Sequence, residues 1–123
     1  MMSNLSTMMS VGSNTIVSGD IAVAYLRTAQ SDDGAIAGQR EMVKRYAGRY
    51  GISDVRRYTD NGASGISAER PALMELLNDV QTGKVDVVII HSFGRIARSY
   101  ILINEILAVL KAHGVRLVSV TGG

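Results

Sequence analysis

Four arginines, Arg27, Arg70, Arg95 and Arg98, are the residues of this chain best suited to chemistry, because each lies in or just after a short, distinctive segment. The segments are Tyr25-Leu26-Arg27, Asp60-Asn61-Gly62-Ala63-Ser64-Gly65 with Arg70 following, and Arg95-Ile96-Ala97-Arg98. A guanidinium offers a planar fork of donors that grips phosphate oxygens at two points, so a cluster of them suits a phosphodiester. Arg95 and Arg98 are three residues apart, and on a helical turn their side chains point to one side, where one phosphate can meet both. Taken singly, each arginine is more simply a solvated surface residue or the partner of Asp32, Asp33, Asp60 or Glu69. Only their convergence would make a site.

Convergence depends on the elements that carry them. Apolar runs at 21–27, 55–59, 85–90 and 115–120 read as strands, and they alternate with helix-period segments at 35–50, 71–82 and 99–113. Gly51, Gly83 and Gly114 follow the helices, Pro71 suits a first helical turn, and Ser99 offers a cap for the third helix. The run Val85-Asp86-Val87-Val88-Ile89-Ile90 is nearly all apolar, as a central parallel strand covered on both faces must be. The βαβαβαβ order predicts a three-layer α/β fold: an open, mostly parallel sheet of four to five strands with helices on both faces. Sites in such sheets form beyond the carboxyl ends of the strands, and the three segments begin there, at Arg27, Asp60 and His91.

Composition bounds the rest. The 123 residues, 46% hydrophobic, suffice for one core, and 13 Lys+Arg against 11 Asp+Glu leave a net charge of only +2. The absence of cysteine removes disulfides and thiolate metal sites. His91 and His113 lack ligand spacing, so no metal and no cofactor is expected. No apolar run reaches the roughly 18 residues of a membrane span, and the start lacks the pattern of a signal peptide, which reads as a cytoplasmic protein. Residues 1–19 contain no charged residue and four methionines, a composition unlike the remainder. They read as a disordered leader ahead of a folded unit at 20–123.

The strings YLRTA, YTDNGASGISAERP and SFGRIARS resemble, in order and spacing, the catalytic domain of serine recombinases, the resolvase/invertase family. The resemblance covers about residues 20–123 and is specific because it joins three separated motifs to one strand order. It implies site-specific DNA recombination, in which a serine hydroxyl attacks a backbone phosphodiester, leaves a 5′-phosphoserine link and frees a 3′-hydroxyl, without a metal or high-energy cofactor. Duplex DNA is then the partner, and the full-length protein is a dimer that pairs into a tetramer. By position, Arg27, Arg95 and Arg98 match the family's central arginines, and Arg70 a further one. Asp60 matches a carboxylate, Ser64 a serine in the turn after the second strand, and Gln39 a glutamine on the first helix. Asp60 could orient an arginine or influence the proton of the attacking hydroxyl, or equally bond the backbone of its own turn.

Three departures from the family pattern stand out. The nucleophile position, two residues after Arg27, holds Ala29, whose methyl cannot attack phosphorus. A deliberate serine-to-alanine change, a naturally degenerate relative, and a shifted loop that uses Ser31 or Thr28 all remain open. Gly94 occupies a position where the family often has an acidic residue, and serves at least to permit a sharp turn before Arg95. The chain stops at Gly123, where family members continue into a long helix and a DNA-binding domain, so it reads as a fragment. Two functions compete: a recombinase catalytic domain disabled at Ala29, and a non-catalytic module for assembly or weak phosphate binding. A nucleotide-binding or flavin-binding domain would need a glycine-rich turn after the first strand, and Arg27-Thr28-Ala29-Gln30 is not one.

Overall fold

A computed structural model describes residues 16, 17, 19–63 and 70–123. The chain runs through β1 (Ala22–Thr28), α1 (Asp33–Gly48), β2 (Arg56–Asn61), α2 (Pro71–Gln81), β3 (Val87–Ile90), a short α3 (Phe93–Ile96), α4 (Tyr100–Ala112) and β4 (Arg116–Ser119). The four strands form one parallel sheet in the order β2-β1-β3-β4, the lower end of the expected strand number. Every residue of β1 and β3 is buried, as strands covered on both sides require.

Alternation along the strands divides the interior in two. Ala22, Ala24, Leu26, Val87 and Ile89 pack with Val43 and Ala47 of α1. Val23, Tyr25, Tyr58, Val88 and Ile90 pack with Leu73, Leu76 and Val80 of α2 and with Leu102, Ile106 and Leu110 of α4. One helix therefore covers one face and two long helices the other. Arg27 continues the series of Val23 and Tyr25, which aims its side chain toward the α2 and α4 face.

Ile16 is 5% exposed and belongs to the α1-side core, and the Val17 N–H donates to Asp20 Oδ2 at 2.9 Å. The packed chain thus reaches back past the boundary expected at residue 20, while the greater part of the expected leader lies outside the described residues. β3 begins two residues later than expected because Asp86 is diverted: its carboxylate accepts the Ile21 N–H at 2.8 Å, and its own N–H donates to Ile21 O at 2.9 Å. α4 begins as expected, with Ser99 Oγ accepting the Leu102 N–H at 3.4 Å. Among the described residues no helix is long and apolar enough to cross a membrane.

Candidate active site

The carboxyl ends of β1, β2 and β3 bring the three segments together, and Arg27 joins them. Arg27 is 2% exposed, and its guanidinium donates to three backbone carbonyls: Ala63 O at 2.7 Å, Gly94 O at 2.9 Å and Arg95 O at 2.9 Å. One side chain thereby ties the end of β1 to the turn after β2 and to α3. Burial, then the neighbouring charge of Arg70, and further those of Arg95 and Arg98, lower the basicity of Arg27. Arg27 therefore lies within electrostatic reach of Arg70, Arg95 and Arg98.

β3 ends opposite Tyr25, so the backbone of Arg27 has no strand beside it there. Gln39 of α1 supplies the missing partner: its Nε2 donates to Arg27 O at 3.0 Å and its Oε1 accepts the Arg27 N–H at 3.3 Å. Gln39 is thus a support for the strand end.

Arg70 is 1% exposed and does not face solvent. Its Nη1 donates to Ile96 O and to the Tyr25 hydroxyl, the latter at 3.4 Å. The Tyr25 hydroxyl in turn donates to Asp60 Oδ2 at 2.8 Å. Burial above all, with the Asp60 hydrogen bond adding and Arg70 opposing, pushes the Tyr25 hydroxyl above its ordinary range, so it stays protonated. Asp60 also accepts the N–H groups of Ala72 and Leu73, each at 3.0 Å. It is the cap of α2, supplied from the neighbouring strand, because the residue at the cap position is Arg70, whose side chain makes no cap bond. The backbone that Asp60 satisfies is therefore not that of its own turn, as one reading expected, but that of a helix twelve residues on, and the Tyr25 hydroxyl links it to Arg70.

Arg95 is half-buried and Arg98 exposed, and neither makes an ion pair or side-chain hydrogen bond among the described residues. They do not share a helix. α3 ends at Ile96, and Ala97 is extended at φ −162° and ψ 158°, so the expected helical i,i+3 pairing is corrected to two arginines on either side of a straight link. Gly94 lies within the helical turn with open space where a Cβ would stand, so the sharp turn expected of it is absent. Its function here is its carbonyl, which any residue could offer.

Ala29 and Ser31 are exposed in the loop between β1 and α1. Thr28 is withdrawn as a source of an attacking hydroxyl: it is buried, its Oγ1 donates to Asn61 Oδ1 at 2.6 Å, and it accepts the Gly62 N–H at 3.0 Å. Ser64 lies outside the described residues. Sequence reasoning overlooked Tyr25 and Asn61 as site residues. Tyr25 could have been flagged as a phenol on a fully buried strand, which must find a polar partner, whereas Asn61 before Gly62 resembles any turn. Among the described residues no group of three or more His, Asp or Glu side chains could hold a metal.

The arrangement offers an arginine-rich floor, two outward arginines and an exposed loop beside them. The model of the resolvase N-terminal domain family matches residues 22–123, and the chain belongs to that family. A Bacillus subtilis (strain 168) protein inferred to be a DNA recombinase is 30% identical over 102 residues, which cover 80% of this chain. The match spans only 20% of that protein's length. The N-terminal catalytic domain of TP901-1 integrase superposes with a TM-score of 0.72 at 27% identity, over 81% of this chain and 77% of that one. The C-terminal catalytic domain of ISC1926 TnpA, an IS607-like serine recombinase, does so with a TM-score of 0.71 at 30% identity, over 80% and 66%. A resolvase family site-specific recombinase from Streptococcus pneumoniae gives 0.72 at 25% identity, over 83% and 72%.

Proposed function

We propose that this chain is the catalytic domain of a serine recombinase whose substrate is the phosphodiester backbone of duplex DNA, and that Ala29 disables cleavage. Arg95 and Arg98 hold the phosphate oxygens, while Arg27, Gln39, Arg70 and Asp60 build the floor beneath them. Within a longer cytoplasmic protein the domain works as a homodimer that pairs into a tetramer. The observation that carries this reading is the Arg27 guanidinium, which gathers Ala63, Gly94 and Arg95 into one place at the end of β1. Such a site needs only a hydroxyl at position 29 to attempt an in-line displacement, because phosphoryl transfer depends mainly on positioning and charge stabilisation.

The test compares the full-length protein that carries this domain with its Ala29→Ser variant on supercoiled plasmid carrying the DNA that flanks its gene, scoring a covalent 5′-phosphoserine adduct. An adduct with the variant alone is expected. An adduct with both proteins would transfer the attack to Ser31, whose hydroxyl is exposed. Inertness of both would favour an assembly or phosphate-binding module.

A further inference from the structure

The loop at 29–31 has no internal hydrogen bonds among those the structure records, yet both of its ends are held by a single side chain. Asn61, the last residue of β2, accepts the Thr28 hydroxyl at 2.6 Å and the Asp32 N–H at 2.8 Å on the same Oδ1. Its Nδ2 donates to Asp33 Oδ1 at 2.8 Å. The following two residues reinforce the first end: the Gly62 and Ala63 N–H groups donate to Thr28 O at 3.0 and 2.8 Å. Asp32 passes the second end on to α1, since its Oδ1 accepts the Ala35 N–H at 2.9 Å. The loop also rests directly on Gly62. With φ at +87°, a Cβ there would stand 3.3 Å from Ser31 N, so glycine is what permits the approach.

We infer that Asn61 is a positioning residue: its one carboxamide grips the chain on both sides of residues 29–31 and so sets where the side chain at position 29 stands. A carboxamide suits this task because it offers an acceptor to Thr28 and Asp32 and a donor to Asp33 at once. A carboxylate alone would face Asp33 as a like charge, and a hydroxyl would be too short to span the three partners. Only the reaction step depends on the recombinase reading above; the order of the loop does not.

The sequence contains no cysteine, so Ala29→Cys provides a single thiol for a nitroxide label. The label is expected to report an ordered loop, and adding Asn61→Ala is expected to give a fast-motion spectrum, while a label at Lys84→Cys stays unchanged. The double change Asn61→Asp with Asp33→Asn exchanges amide and carboxylate, keeps every donor facing an acceptor, and restores the ordered spectrum. In the Ala29→Ser protein, Asn61→Ala lowers the rate of adduct formation about a hundredfold at unchanged plasmid affinity, as misplacement of a reacting group by an ångström does, and the exchanged pair recovers it. An unchanged label spectrum in a folded Asn61→Ala protein overturns the inference, as does a loosened loop with an undiminished adduct rate. If Ala29→Ser forms no adduct even with Asn61 in place, the recombinase reading falls and the label spectra alone decide the clamp.

Discussion

Asp60 shows how a residue singled out for chemistry can serve the fold. Its two oxygens accept the Ala72 and Leu73 N–H groups and the Tyr25 hydroxyl, which leaves little capacity for a proton on an attacking group. In Asp60→Asn the amide can present one oxygen, so at least one of the two helix N–H groups meets another donor. Losing a cap and a charge-assisted bond together costs about 2 kcal/mol. Urea unfolding should show that loss as a lowered midpoint at constant slope. Unchanged stability, with a defect confined to the adduct in the Ala29→Ser protein, would return Asp60 to the reaction. Of the four arginines read as lying near strand ends, only Arg27 is in one; Arg70 stands at the start of α2, Arg95 within α3 and Arg98 beyond it, and the directions of the Arg27 and Arg70 side chains could not be read at all. Those directions are set by carbonyls at Ala63, Gly94, Arg95 and Ile96, and a backbone carbonyl leaves no trace in residue type.

At the scale of elements, what was legible in the sequence is what short-range signals determine. Pro71 and Gly83 bracket α2, which runs Pro71–Gln81, and Ser99 caps α4. α1 starts at Asp33, two residues before the expected start, because Asp32 is its cap, and a stretch of Asp-Asp-Gly looks like loop until the cap bond is seen. α3, at four residues, is too short to have a period. Contacts between elements were illegible, and the one between β2 and α2 makes a pH prediction. The Tyr58 hydroxyl donates to Asp79 Oδ2 at 2.6 Å, and burial, with that bond adding, pushes it up to about 12. Below pH about 10 tyrosine is protonated in folded and unfolded chains alike, so this contribution to stability is complete. As pH rises from there toward 12 the unfolded chain releases the proton first, the folded chain holds more protons, and stability falls. Tyr58→Phe should therefore be less stable at neutral pH yet lose stability less steeply between pH about 10 and 11.5, measured by denaturant unfolding at fixed pH values. An equal slope in both proteins would contradict the assignment.

Over the whole molecule, charge is nearly balanced at a net +2, and, among the described residues, five of the 13 basic side chains are paired or buried. Arg45 pairs with Glu41, Arg56 with Glu75 and Asp79, and Arg116 with Asp20, while Arg27 and Arg70 are buried. On the proposed reading the charge that meets DNA is a local pair, Arg95 and Arg98, at one end of the sheet, which a near-balanced composition does not display. Affinity for duplex DNA should then be weak and should rest on few phosphate contacts. Each neutralised phosphate contributes about −0.9 to the slope of log K against log salt, so two outward arginines predict a slope near −2 rather than the steep dependence of a strongly basic binder. Arg98→Ala should reduce the magnitude of that slope by about 1 and weaken binding alike for unrelated sequences, because a phosphate contact carries no base information. Fluorescence anisotropy with labelled duplexes over a salt series measures both quantities. A slope unchanged by Arg98→Ala would move the DNA-binding face elsewhere on the domain, and a sequence-selective loss would mean that Arg98 reads a base edge instead of holding the backbone.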